Sequence, residues 1–284
     1  MSATKPLLVF VHINKTAGTT LRFILRSSYG ARHCDVEPWH GAWTDPPFST
    51  ADLRRVRKLY PRLASIAGHR VSGHVDLEEA GTDFRYLTFL REPLALCASR
   101  FQYQLDYRKK QNLAFEEWIE KDWVRDAQTQ RLGGTTDAAD AMAVIDRKEM
   151  FVGLTERFDE SVVLLRALRA PDLNIAYRPV NVAKSSGVAK RLLADSRTRK
   201  LIVDANQADL ELYEHVLREI YPAQERAHGT SLSESVAAFR EETRKGYDRR
   251  KLVFYGLKQR VLLKPTIRLY RGRRTGDLVQ SLMR

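Results

Sequence analysis

Apolar residues fall along the chain in two kinds of block. Short runs made mostly of apolar residues, Leu7 to Ile13, Leu63 to Ala67, Phe84 to Leu90 and Met150 to Gly153, read as strands. Between and after them the apolar positions recur at helical spacing. A basic helix is predicted from a cap at Ser49 or Thr50 to Tyr60, just before Pro61, and another is opened by Pro93. Further helices are expected over Leu113 to Trp123, from Asp137, over Phe158 to Leu168, from about Asp204 to Tyr221 before Pro222, and over Ser231 to Lys245.

The first junction carries the clearest chemistry. After the run ending at Ile13, the polar turn Asn14-Lys15-Thr16-Ala17-Gly18 opens an apolar helix at Thr19 or Thr20. The first turn of a helix has unpaired N–H groups and the positive end of the helix dipole, so an anion docked there gains hydrogen bonds and charge complementarity together. Lys15 adds a full charge. Thr16, Thr19 and Thr20 add hydroxyls, and Ala17 and Gly18 allow close backbone approach. The spacing differs from the G-x-x-x-x-G-K-[ST] loop of nucleotide triphosphatases, so the stretch predicts a phosphorylated ligand other than ATP or GTP.

Two later segments add candidate groups. Ala64 to Gly81 carries His69 and His74 on a Gly-rich loop after a strand, near the same edge as the cradle. In FRYLTFLREPLALCASRFQY, Arg91 ends a strand and Ser99 follows eight residues later across a Pro-started turn, a spacing suited to bringing a guanidinium and a hydroxyl onto one ligand.

HINKTAGTTL resembles the 5′-phosphosulfate loop of sulfotransferases that use 3′-phosphoadenosine 5′-phosphosulfate (PAPS), in the branch containing the glycosaminoglycan uronyl 2-O-sulfotransferases. The resemblance runs from about Leu7 to Tyr221 and includes Gly73-His74-Val75, the LR-[DE]-P block at Arg91, DAQTQRLGG at 126–134, GLTERFDESVVLL from Gly153, and VNVAKSSG near Asn181. It implies a three-layer α/β/α fold with a mostly parallel central sheet and a P-loop-like strand-turn-helix that binds the phosphosulfate. It also implies His74 as general base with His69 as runner-up, and Lys15 beside the departing 5′-phosphate. Arg91 and Ser99 become ligands of the 3′-phosphate; Lys184, Ser185 and Ser186 become further cofactor contacts, and Gln128 and Arg131 candidates. His12 fits the motif, but its place in the strand favours packing. Glu156 reads as structural. The implied activity is sulfuryl transfer from PAPS to a hydroxyl of a carbohydrate-type acceptor, leaving the product PAP and needing no metal.

Composition narrows this further. The chain has 284 residues, 43% of them hydrophobic, enough to bury a sizeable core. Two domains are expected: a sulfotransferase domain over 1–222 and a helical, strongly basic extension over 223–284. Of the net charge of +13, Lys245 to Arg284 contribute +10, from 12 Lys or Arg against two Asp. In that tail apolar and basic residues interleave, which suits an anionic membrane surface or a polyanion, and equally a segment packed on the domain. A nucleic-acid-binding protein would suit the charge, yet no nucleic-acid motif occurs. An ATP-dependent phosphotransferase with an atypical loop is the other alternative, and no acidic metal-binding motif supports it. Cys34 and Cys97 fit a reducing compartment, Cys97 as a small buried apolar group. MSATKP has no signal-peptide character and no run of about 18 apolar residues occurs, so the sequence predicts a cytoplasmic protein, peripheral to a membrane if the tail binds one.

Overall fold

A computed structural model describes residues 6–36, 46–108, 112–177, 187–229, 231–244, 246 and 249–266. Its centre is a five-stranded sheet: β1 (Leu7–Val11), β2 (His33–Asp35), β3 (Ser65–Gly68), β4 (Phe84–Leu90) and β5 (Phe151–Leu154), in the order β2-β3-β1-β4-β5. Every pairing is parallel. β1 is buried along its whole length, which is why its sequence shows no polar alternation: both faces are covered by helices. The fold is the expected three-layer α/β/α arrangement.

Helices α1 (Gly18–Tyr29), α2 (Thr50–Leu59), α3 (Pro93–Arg108), α4 (Phe115–Ile119), α5 (Ala127–Gly133), α6 (Ala138–Arg147) and α7 (Phe158–Leu168) connect or cover the strands. Then come α8 (Gly187–Ala194), α9 (Ser196–Ala205), α10 (Gln207–His215), α11 (Tyr221–His228), α12 (Leu232–Arg244) and α13 (Arg249–Lys258). The predicted caps act as expected. Ser49 and Asp52 form a reciprocal capping box on α2, and the Asp137 carboxylate accepts the Ala139 N–H at the start of α6.

Two helical expectations change. The long helix predicted from Asp204 to Tyr221 is broken after Ala205, where Asn206 leaves helical geometry. It also does not stop before Pro222: a wide π turn, Val216–Ile220, precedes α11 and the helix runs on to His228. Pro222 has no N–H to give the fourth carbonyl back, and the widened turn just before it accommodates that loss. The helix predicted from Leu113 to Trp123 shortens to α4, with Trp118 and Ile119 still fully packed.

The chain beyond 222 lies against the body. Val236 and Phe239 of α12 belong to the main core, with Phe239 stacked on Tyr177. α13 crosses Gly30, whose positive φ and missing side chain let the Lys251 backbone approach. There Asp35 is buried among Arg22, Arg26, His33 and Tyr255, and the His33 ring bonded to it, then the Arg22 and Arg26 charges, hold its carboxyl well below the usual range despite burial. Cys34 and Cys97 are buried thiols that form no disulfide, and burial pushes Cys97 up to about 12, so Cys97 is inert packing.

One long-range cap ties the C-terminal half to the sheet edge. Asp209 of α10, fully buried, accepts the Gln128 N–H with both carboxylate oxygens at 3.1 Å and the Thr129 N–H at 2.7 Å, satisfying the first turn of α5. Its own N–H is accepted by Asp126 at 3.0 Å. Asp209→Ala should therefore lower unfolding free energy by about 2–4 kcal/mol, the scale for stranding buried donors from a charged acceptor; urea denaturation checks this, and a loss below about 0.5 kcal/mol would mean that the cap carries no load.

Candidate active site

The strand order brings together segments that are far apart in sequence. β1 sits between β3 and β4, and chain order reverses there, so their C-terminal ends form the crevice where parallel sheets hold ligands. Val11 is in register with Gly68 on one side and Thr88 on the other. His12, the turn 13–17, His69 and Arg91 consequently meet at one edge, although 79 positions separate the first from the last. A cavity of about 530 Å³ lined by Asp83, Arg85, Tyr86, Arg147 and Lys148 lies at the start of β4, the opposite end of that strand from Arg91, and brings in none of these groups.

The turn after β1 is wound unusually. Lys15 and Ala17 both have positive φ, 70° and 59°, in the left-handed region that side chains other than glycine disfavour. Ala17 is the residue before α1, and its carbonyl accepts the Thr20 and Leu21 N–H groups, so the helix starts at Gly18 rather than at Thr19 or Thr20. The turn is held from within by the Thr16 hydroxyl, which donates to the Ile13 carbonyl at 3.0 Å. Thr16 is fully buried, so its hydroxyl braces the turn. From outside, the Arg91 guanidinium donates to the Lys15 carbonyl at 3.1 Å. Thr20 is buried and Thr19 half-buried on the first turn of α1. Gly18 has a packing reason as well: a Cβ there would lie 1.9 Å from the His12 Nε2.

Charge is concentrated here. Burial and the Arg91 charge lower the Lys15 pKa, with Asp106 partly offsetting them, and the ammonium lies 5.1 Å from the centre of the Tyr103 ring. Arg91 is itself lowered by burial, its nearest carboxylate being Glu156 at 3.9 Å. Two adjacent, partly desolvated cations are a setting that an anion relieves. Ser99 stands half-buried on α3, the helix that follows Arg91.

Gln128 acts on Arg91 through the backbone. The Gln128 amide donates to the Arg91 carbonyl at 3.0 Å and accepts the Arg91 N–H at 2.9 Å. Glu156 accepts the Glu92 N–H and the Tyr213 hydroxyl, consistent with a structural part. Asp209, which nothing in the sequence singled out, fixes Gln128 in turn; a lone Asp inside a helical run has no pattern by which to find it.

The histidines differ. His12 is buried between Phe10 and His69, the latter ring stacked at 4.0 Å, and burial holds it well below the usual pKa, as expected of a packing residue. His69 donates its Nδ1 proton to the His12 carbonyl at 3.1 Å, which fixes its tautomer. His74 is half-buried with its ring against Gly134, and its Nδ1 has no hydrogen-bond partner among the described residues. Burial, then the Arg131 and Lys148 charges, lower its pKa from the ordinary 6.5, so the ring is neutral near pH 7. Arg131, pushed down to about 10 by burial with Arg70 and Arg100 nearby, donates to the Ser72 hydroxyl at 3.3 Å. Lys184, Ser185 and Ser186 lie outside the described residues; the helix that follows them, α8, is anchored by Gln102 of α3, which accepts the Val188 and Ala189 N–H groups.

No family model matches the chain. Over 241 residues it is 28% identical to galactose-3-O-sulfotransferase 3 of Mus musculus, a stretch that covers 73% of this chain and 54% of that protein. The chain thus spans about half the length of this curated relative. The expectation of a cytoplasmic protein is corrected by this finding: it rested on the character of the first residues and on the lack of a long apolar run, and beside a relative of which the matched stretch covers only 54% the place where this sequence begins carries no argument about localisation. No helix among the described residues is long and apolar enough to cross a membrane. The similarity supports a relation to carbohydrate sulfotransferases, and says nothing for uronyl 2-O specificity.

Proposed function

We propose that this chain is a PAPS-dependent sulfotransferase acting on a hydroxyl of a carbohydrate-type acceptor, with residues 1–222 as the catalytic body and 223–284 as an extension. The observation that carries the reading is the Arg91 guanidinium bonded to the Lys15 carbonyl, which joins two cationic grips into one edge. A 5′-phosphosulfate and a 3′-phosphate on one nucleotide need two such grips, whereas ATP needs only the first. The weak relation to a galactose sulfotransferase supports the same class.

PAPS would supply the sulfuryl group. Lys15, with the N–H groups from Thr16 to Thr19 and the hydroxyls of Thr19 and Thr20, would hold the 5′ end and offset charge developing on the departing phosphate. Arg91 and Ser99 would hold the 3′-phosphate, with Lys184, Ser185 and Ser186 as additional contacts. His74, neutral at physiological pH, would take the acceptor hydroxyl's proton as that oxygen attacks. Positioning and charge stabilisation would do most of the work, as in in-line phosphoryl transfer. A second assignment has its own support: His69 has the fixed tautomer that a directed base requires.

Thermal unfolding with PAP, with ATP and Mg²⁺, or with neither tests the class. At about 100 times its Kd, PAP should add roughly 2.7 kcal/mol to wild-type stability and far less to Arg91→Ala. Stabilisation by ATP alone would overturn the reading. With PAPS and a carbohydrate acceptor, Lys15→Ala and His74→Ala should each reduce kcat by about 10²-fold or more. Near-normal turnover in His74→Ala with a large loss in His69→Ala would transfer the base to His69.

The pH dependence carries a sign. Because burial and neighbouring cations lower the His74 pKa, the neutral base persists as pH falls through 6.5 and is lost only below it. The acid limb of the kcat/KM–pH profile, which reports the free enzyme, should accordingly lie below pH 6.5, and a limb at or above that value would exclude His74 in this environment.

A further inference from the structure

Helix α13 and the π turn that continues it, Gln259–Leu263, have two unlike faces. One is docked. Tyr255 donates to Asp35, and Lys258 donates to the Ala31 carbonyl at 3.0 Å with its ammonium 3.7 Å from the centre of the Tyr60 ring. The Gln259 amide donates to the Tyr60 hydroxyl at 3.4 Å, and Leu263 is fully buried. These contacts fix which side of the helix faces the body.

The other side is apolar and exposed. Val253, Phe254, Leu257, Val261 and Leu262 are 48–63% exposed, and 253, 257 and 261 follow one another at four-residue spacing along one stripe. Among the described residues the other large apolar side chains so exposed are Trp123 and Leu217, so five of the seven lie on this element. Its charge is one-signed. Residues 249–266 contain six Lys or Arg and no Asp or Glu, and Arg249, Lys251, Arg260 and Lys264 are exposed beside the stripe.

We propose that this face docks on the surface of an anionic lipid bilayer, the apolar stripe entering the headgroup region and the flanking cations meeting lipid phosphates and carboxylates. Charge and apolarity together select this occupant. A soluble polyanion would satisfy the cations and leave five large apolar side chains in water. A second copy of the chain would cover the stripe but press two sets of like charges together. The inference is independent of the proposed chemistry, since it uses no residue of the candidate active site.

Co-sedimentation of the full chain with vesicles of phosphatidylcholine alone, or mixed with phosphatidylserine, tests it. Wild type should pellet with the mixed vesicles and not with phosphatidylcholine. Phe254→Ser/Leu257→Ser should weaken that binding at least about tenfold, the minimum expected for removing two interfacial apolar groups, with an unchanged melting temperature. Val261→Ser, one turn further on, should weaken it in the same direction and serves if the double variant is unstable. Failure of folded wild type to bind mixed vesicles would overturn the proposal. So would binding that high salt abolishes but the apolar substitutions leave intact, the mark of a polyanion surface, or a concentration-dependent dimer that the same substitutions dissolve.

Discussion

Arg91 holds the candidate site together. From the end of β4 its guanidinium reaches the Lys15 carbonyl, and that contact fixes the turn after β1 in a conformation with two left-handed residues. Its own backbone is clamped by Gln128, Gln128 is held by Asp209, and Asp209 belongs to a helix more than a hundred residues downstream. A chain of hydrogen bonds thus runs from α10 to the cradle. Each bond is modest alone, but the links are buried or half-buried, where a stranded donor costs more than a formed bond contributes.

The same edge concentrates unfavourable terms. Lys15 and Arg91 are adjacent cations, Arg131 lies near Arg70 and Arg100, and Lys15 and Ala17 occupy strained backbone regions that cost on the order of 1–3 kcal/mol each. Such features persist only where the surrounding structure overdetermines them. Here the rigid element is the parallel sheet, with β1 buried on both faces and hydrogen-bonded on both sides. The cationic turn is loaded onto a fully buried strand paired on both sides, which is the physical requirement for holding such a turn in shape.

At the other flank the charge logic is reversed. Asp35 is one buried carboxylate shared among Arg22, Arg26, His33 and the Tyr255 hydroxyl, so the C-terminal segment is attached through a neutral hydroxyl on a carboxylate that two arginines already balance. That attachment consumes one face of α13 and leaves its apolar face outward. The basic excess at the end of the chain and the cationic cradle near its start are therefore separate systems, on different strands and with different counter-charges.

Local pattern alone determined a good deal. The run Phe84 to Leu90 is β4 and Phe158 to Leu168 is α7, because short runs rich in apolar and β-favouring residues and helical spacing are properties of neighbours in sequence. The cradle residues were legible for the same reason: strand, cationic turn and helix are contiguous. Helix ends were less so, as at Pro222, where a π turn absorbed what proline normally forbids. What only the tertiary structure decided was the meeting of parts. Strand order put His69 beside His12 and Arg91 against Lys15, burial rather than residue type set the protonation of His74, and Asp209 gained its role from the first turn of a helix 80 residues away. Sequence spacing carries no signal for such contacts, because parallel crossovers decouple distance along the chain from distance in space.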